Sequence, residues 1–181
     1  MNEQRLTNFL GIDFGTNKEI AKEKMLLREG VVFDNENSSD EALFFDGVKF
    51  GGRITSYVFL LFFNDKFTKS TVVIKPKLDA YTINTYKEIK EEINSKYYIS
   101  NSDFETYNEP YYEGDGYTES GIQNGNVEFS CYWSFTDQNN GEDDYIVIRI
   151  NEDMEITITY EDGDLSDELA NKTKEKNNED Y

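Results

Sequence analysis

Residues 126–135, NVEFSCYWSF, alternate without interruption between polar and apolar side chains, with tyrosine counted as polar. Successive side chains of a β-strand point to opposite faces, so this pattern is typical of a strand with one buried and one solvated face. Its apolar side carries the only tryptophan and the only cysteine of the chain, Trp133 and Cys131. We interpret both as core residues, and this strand predicts an antiparallel sheet with a covered face.

Other strand patterns lie on both sides of this one. ITSYVFLLFF and TKSTVVIK are separated by a short turn at residues 64–66, and DYIVIRI and MEITITY by a turn at residues 151–153. Each pair predicts strands joined by a tight connection. The run YVFLLFF at residues 57–63 is apolar on both alternating faces, which predicts a central strand covered on both sides.

The first helix signal lies near the start of the chain. Thr16 followed by Glu19 has the spacing of a capping box, in which both side chains satisfy free backbone amides. Apolar residues follow, and Gly30 is a typical helix stop. We predict a helix over about residues 17–29.

A second helix signal begins with another capping box, formed by Thr85 and Glu88. Apolar and aromatic residues then recur at helical spacing. They are Tyr86, Ile89, Ile93 and Tyr97.

The predicted order is a helix followed by three or four strands, repeated once. We expect an α+β fold built from two successive helix-plus-antiparallel-sheet units, with the helices packed on one face of the sheet. The first unit spans residues 1–80 and is nearly neutral, and the second spans residues 81–163 and is strongly acidic. Residues 164–181 predict a short helix and a frayed charged tail.

This element order and the opening FLGIDFGTNKEI resemble the β-lactamase-inhibitor-protein-like fold, which small bacterial outer-membrane-assembly lipoproteins share in single copy. The chain is also similar to uncharacterised bacterial and phage-associated proteins with FxGIxxGT early and YYEGDGY late. The resemblance spans about residues 8–162 and implies no catalytic residue. It implies binding of proteins through a sheet face rich in aromatic side chains. The sequence departs from these families because it has neither a lipoprotein leader nor a pair of cysteines.

The net charge of −19 is concentrated in one part of the chain. Residues 1–100 contain 14 Lys and Arg against 15 Asp and Glu, whereas residues 101–170 contain 19 acids and one base, Arg149. A field of this sign repels nucleic acid and anionic membranes and attracts basic partners. We therefore predict a protein partner with a basic surface, and no nucleic acid.

The absence of histidine and the single cysteine exclude several kinds of site. Zinc, copper and iron–sulfur sites, and catalytic Ser-His or Cys-His pairs, need residues that this chain lacks. We predict no metal and no cofactor. The first thirty residues show no signal-peptide pattern, and the longest apolar run is too short to span a bilayer. We expect a cytoplasmic protein without membrane insertion, and the oligomeric state stays open.

The stretch NEPYYEGDGYTES, residues 108–120, combines four acids and three tyrosines without a base. One interpretation is an irregular hairpin whose tyrosines half-bury their rings. Another is a binding surface with tyrosine anchors and carboxylates that face basic groups. A third is a calcium site formed by Glu113, Asp115 and Glu119, although the EF-hand spacing is absent. The candidate protein-binding residues are Glu109, Tyr111, Tyr112, Glu113, Asp115, Tyr117 and Glu119.

These observations predict a non-enzymatic acidic binding protein of the inhibitor, immunity or nucleic-acid-mimic type. One alternative is an acidic accessory or envelope-associated domain whose charge serves solubility. A second is a carboxylate-dependent hydrolase, since two acids suffice to hydrolyse a glycosidic bond. No particular pair of acids stands out in the sequence, and we predict no catalytic residue.

Overall fold

The computed structural model describes residues 5–136 and 141–179, with side chains described as far as residue 172. These residues form twelve β-strands, four α-helices and one short 3-10 helix. In chain order they are β1 (Asn8–Phe9), β2 (Ile12–Asp13), α1 (Lys18–Leu26), β3 (Val32–Asp34), β4 (Ala42–Asp46), β5 (Lys49–Phe50), β6 (Arg53–Ile54), β7 (Tyr57–Phe63), β8 (Lys66–Ile74), the 3-10 helix (Asp79–Tyr81), α2 (Thr82–Lys96), β9 (Ser102–Tyr107), α3 (Thr118–Gln123), β10 (Val127–Phe135), β11 (Asp144–Ile150), β12 (Ile156–Glu161) and α4 (Gly163–Glu179).

Eight of the described strands form one antiparallel sheet in the order β3-β4-β7-β8-β12-β11-β10-β9. The α+β class and the antiparallel sheet predicted from the sequence are thereby confirmed. Strands from the first 80 residues occupy one half of the sheet and later strands the other. The two halves meet where β8 pairs with β12. These eight strands belong to one sheet, while β1 pairs with β2 and β5 pairs with β6 in two separate two-stranded sheets. The division of the chain into two units stays a prediction.

One face of the sheet, which we call the inner face, forms the hydrophobic core together with three helices. Met25 of α1, Ile89 of α2 and Ile122 of α3 belong to the same buried cluster as Phe45 of β4 and Trp133 of β10. Apolar burial of this kind is the main stabilising contribution to a fold of this size. The helices α1, α2 and α3 therefore stabilise the inner face.

The strand β10 confirms the alternation seen in the sequence. Its apolar residues are buried in the inner-face core, and Cys131 is a free, fully buried cysteine. Burial raises the pKa of the Cys131 thiol. The indole Nε1 of Trp133 donates to Asn94 Oδ1 at 3.1 Å and to the carbonyl oxygen of Tyr98 at 3.0 Å. Both residues are structural, as predicted.

For both α1 and α2, the sequence predicted the wrong capping residue. At α1 the Asn17 side chain caps the helix by accepting from the backbone N–H of Ile20 at 2.9 Å. The Thr16 hydroxyl instead donates to the carbonyl oxygen of Asp13 at 2.6 Å, so it closes the preceding turn. The helix also ends at Leu26, before the predicted end.

At α2 the helix begins at Thr82, which places the predicted cap Thr85 inside the helix. The Thr82 hydroxyl is buried and donates to the carbonyl oxygen of Met154 at 3.2 Å. The helical spacing predicted from Tyr86 is confirmed, because the ring of Tyr86 and the two isoleucines that follow at that spacing are buried.

The C-terminal helix α4 is longer than the short helix predicted from the sequence, since it extends from Gly163 to Glu179. Asp162 precedes it and accepts from the backbone N–H of Leu165 at 2.9 Å, which is an N-cap hydrogen bond. Residues 180–181, part of the predicted frayed tail, lie outside the described residues.

Candidate protein-binding surface

The face of the sheet opposite the core, which we call the outer face, presents one row of side chains across all eight strands of the described sheet. Cross-strand pairing connects these residues in an unbroken register. We call them the outer row: Asp34, Phe44, Phe59, Thr71, Thr159, Val147, Tyr132 and Ser102.

Three aromatic rings cluster at the β4–β7 end of this face, and we call them the outer aromatic cluster. The Phe44 and Phe59 rings are stacked with centroids 5.1 Å apart, and Tyr57 lies 6.0 Å from Phe44 and 6.4 Å from Phe59. All three side chains are partly exposed. They face away from the core, so their rings contribute apolar area to the molecular surface.

Strand β7 positions two of these rings, and its burial corrects a prediction. Val58 and Leu60 are fully buried, whereas Tyr57 and Phe59, which alternate with them, remain partly exposed. The predicted coverage of β7 on both sides is therefore wrong. The helices α1, α2 and α3 pack on the inner face, opposite these rings.

The side chains at the centre of the outer face are small and uncharged. Thr71 and Thr159 are cross-strand partners whose hydroxyl oxygens lie 3.1 Å apart, within hydrogen-bond distance. Val73 beside them is only 2% exposed. Between Phe59 and Tyr132 the outer row has no charged side chain. This is notable because residues 101–170, which supply part of the row, have a net charge of −18.

Charged groups lie around this neutral centre. Lys69 and Glu161 form a cross-strand salt bridge of 3.0 Å with both side chains half-buried. Arg149 lies over the Tyr132 ring at 5.4 Å from its centroid and donates to the Tyr132 hydroxyl. These groups already have partners within the chain and leave the aromatic end as the part of the face suited to a new contact.

A cavity of about 370 Å³ adjoins the outer aromatic cluster. Its walls combine two aromatic rings, two carboxylates and one amide. They are Phe44, Tyr57, Asp34, Asp46 and Asn37.

The ionisation of two of these groups is shifted by their surroundings. Hydrogen bonds from the side chain and then the backbone of Asn37 lower the pKa of Asp34, which favours its carboxylate form. Burial, and then the negative charge of Glu155, raises the pKa of Tyr57, which keeps its phenol neutral. The cavity thus joins a fixed negative charge to neutral aromatic rings.

The acidic stretch predicted as a binding surface lies elsewhere, on the helix side of the sheet. Tyr111 packs against the inner-face core and accepts from Asn124 Nδ2 at 3.1 Å. Tyr112 and Tyr117 are 66% and 65% exposed. Only one of the three tyrosines therefore half-buries its ring in the core, and the stretch ends in helix α3 rather than forming a hairpin.

The carboxylates of this stretch do not converge. Asp115 accepts from the backbone N–H groups of Tyr112 at 3.1 Å and Tyr117 at 2.7 Å, so it holds the turn together. Glu109 and Glu113 are exposed, and Glu119 is half-buried. Across residues 5–136 and 141–179, no group of three or more acids or cysteines is placed to hold a metal ion.

Sequence reasoning missed the outer aromatic cluster, although a signal for it was present. The run at residues 57–63 is too apolar for a strand with one solvated face, and this excess indicated burial on both sides. The same excess is equally typical of a strand whose second face binds another molecule.

Comparison of this chain with protein-family models, with curated proteins and with solved structures finds no match. Among the helices of the described residues, none combines the length and the apolar character needed to cross a lipid bilayer.

Proposed function

We propose that the protein is a non-enzymatic binding protein that engages a basic protein surface through the outer face of its sheet. The observation that carries this proposal is the outer aromatic cluster of Phe44, Tyr57 and Phe59, which is partly exposed on the side of the sheet opposite the core. Aromatic rings are enriched at the centres of protein interfaces because they bury a large area at a small cost in conformational entropy.

The arrangement of the outer face supports a protein partner rather than a small molecule. Protein interfaces combine an apolar centre, depleted of charge, with a polar rim. Here the partly exposed rings of the outer aromatic cluster are bordered by Asp34, Asp46 and the Lys69–Glu161 pair. This is a broad surface rather than a deep pocket, which disfavours the hydrolase alternative.

The charge of the molecule supports a basic partner. At a net charge of −19, a second copy of the chain or a nucleic acid is repelled, and a basic protein is attracted. Long-range attraction of this kind raises the association rate more than it raises the affinity. The aromatic cluster then supplies the short-range contact.

The finer parts of the proposal are an inhibitor, immunity or nucleic-acid-mimic role and an architecture of two successive helix-plus-sheet units. Binding through an aromatic sheet face agrees with the mode that the resemblance to the β-lactamase-inhibitor-protein-like fold implies. The acidic stretch containing Tyr112 and Tyr117 stays a second candidate contact on the helix side of the sheet. An experiment that compares the two surfaces distinguishes them.

The test is affinity capture from a lysate of the native host at low salt, with three forms of the protein as bait. We expect the wild type and a Tyr112→Ala/Tyr117→Ala variant to retain the same basic protein, and a Phe44→Ala/Phe59→Ala variant to lose it. The retained protein should elute at a defined salt concentration, because salt screens the attraction. Loss of capture in the tyrosine variant alone would move the site to the acidic stretch. Equal capture by all three baits, or elution that needs no salt, would contradict the proposal.

A further inference from the structure

We propose that the cavity at the outer aromatic cluster receives an arginine side chain of the partner protein. This inference rests on the proposed function and specifies the chemistry of its central contact. The cavity of about 370 Å³ lies at the lower end of the range for ligand pockets, roughly 300–1,000 Å³. It is large enough for one side chain and too small for a folded element.

The two aromatic walls suit a flat cation. The Phe44 and Tyr57 rings stand 6.0 Å apart between centroids at an angle of 40° and both line the cavity. The negative face of an aromatic ring attracts a cation, and a guanidinium also stacks on it through its planar shape.

Some aromatic rings elsewhere on the molecule already have cationic partners within the chain. Lys22 lies 3.6 Å from the Phe33 centroid, and Arg149 lies 5.4 Å from the Tyr132 centroid. Within the described ranges, no lysine or arginine lies over the rings of Phe44 or Tyr57. The two rings that line the cavity are therefore open to a cation from another molecule.

The carboxylates complete the match to arginine. Asp46 is exposed and, among the residues that the structure describes, makes no side-chain hydrogen bond or salt bridge. Asp34 is held in place by Asn37, whose Nδ2 donates to it at 2.5 Å. A guanidinium has five N–H donors in a rigid fork that suits carboxylates, whereas an ammonium is a point charge without a stacking plane. The cavity therefore favours arginine over lysine.

The experiment is an NMR titration of the full chain with Nα-acetyl-arginine methylamide. We expect saturable shifts of the backbone amides of Asp34, Phe44, Asp46 and Tyr57. The citrulline analogue, which has nearly the same shape but no charge, should produce no saturable shift there, and the lysine analogue should bind more weakly. The variant Asp46→Asn should weaken arginine binding by about tenfold, in line with the loss of one charge-assisted hydrogen bond.

The matched control is Glu41→Gln, because Glu41 is exposed, lies next to β4 and is outside the cavity. This variant makes the same change in charge and should leave arginine binding within twofold of the wild type. Equal weakening in both variants would show that the attraction is only that of net charge, which overturns the inference.

Three other outcomes also overturn it: no saturable shift, equal binding of citrulline, or binding of lysine as tight as that of arginine. If this happens while Phe44→Ala/Phe59→Ala still abolishes capture of a basic protein, the proposed function stands and only the arginine site falls. If capture also persists in that variant, both fall.

Discussion

At the scale of single residues, Phe44 and Phe45 are neighbours in β4 that serve opposite faces of the sheet. Phe45 is fully buried in the inner-face core, whereas Phe44 is partly exposed in the outer aromatic cluster. The same side chain therefore has a different energetic role at two adjacent positions. This contrast provides a direct test of the assignment of the two faces.

We predict that Phe45→Ala lowers the free energy of unfolding by about 3–5 kcal/mol, because it removes a buried ring and leaves a cavity. Phe44→Ala should lower it by only about 1 kcal/mol, the typical loss for an aromatic pair. Urea unfolding followed by the fluorescence of Trp133, the single tryptophan, measures both values. Equal losses in the two variants would mean that the outer face is as closely packed as the core.

Several tyrosines give the protein a predicted sensitivity to alkaline pH. Burial, and then the hydrogen bond to Glu105, raises the pKa of Tyr107 to about 12, and burial raises the pKa values of Tyr86 and Tyr160 well above their usual range. The Tyr86 hydroxyl is buried and has no hydrogen-bond partner among the described residues. In the unfolded chain a tyrosine loses its proton near pH 10.

Above about pH 10 the unfolded state therefore binds fewer protons than the folded state, so the free energy of unfolding should fall as the pH rises toward 12. It should be insensitive to these groups below pH 10. Urea unfolding at a series of pH values from 8 upward measures the slope. The variant Tyr107→Phe should show a shallower fall than the wild type. A stability that is constant or rising across this range would contradict the assigned burial.

At the scale of elements, local patterns were predictable and long-range coverage was not. The alternation of β10 and the spacing of Tyr86, Ile89 and Ile93 in α2 depend only on neighbours in the chain, and the structure confirms both. Whether the second face of β7 is covered depends on where distant helices pack, which the residues of β7 do not encode. The sequence therefore predicted the position of this strand correctly, but its prediction that both faces are covered was wrong.

The candidate site was harder to predict for the same reason. The acidic stretch was selected by composition, yet Tyr111 packs on the core and Asp115 is occupied by the turn. The outer aromatic cluster is assembled from β4 and β7, whose register brings Phe44 and Phe59 together. Only the paired sheet shows that these two side chains form one surface.

The start of α1 gives a prediction at this scale, because the cap was assigned to the wrong one of two adjacent residues. Asn17→Ala should lower the free energy of unfolding by about 1 kcal/mol, since it removes the N-cap hydrogen bond to Ile20. Asn35→Ala is the control, as Asn35 is an exposed asparagine outside the helices. Urea unfolding measures the free energy of unfolding of both variants. A loss in Asn17→Ala no larger than that in Asn35→Ala would contradict the assigned cap.

At the scale of the whole molecule, the net negative charge lowers the stability of the folded state. Residues 101–170 have a net charge of −18, and their carboxylates repel each other in the folded protein. Salt should weaken part of that repulsion. We predict that the urea midpoint rises between about 10 mM and 100 mM NaCl, as the Debye length falls from roughly 30 Å to 10 Å. Near the isoelectric point of about 4.3 the dependence should flatten. A salt effect at pH 4.3 equal to that at neutral pH would exclude repulsion between the acidic groups as its cause.

The pairing of β8 with β12 at the centre of the sheet has a consequence for how the chain is made. Ile74 pairs with Ile156, so the middle of the sheet cannot form until residue 156 has left the ribosome. Until then β8 is an unprotected edge that carries Val72, Val73 and Ile74 in succession, the kind of segment that pairs with other chains. Nascent chains halted before β12 should therefore depend on chaperones, and the finished protein, with that edge closed, should not.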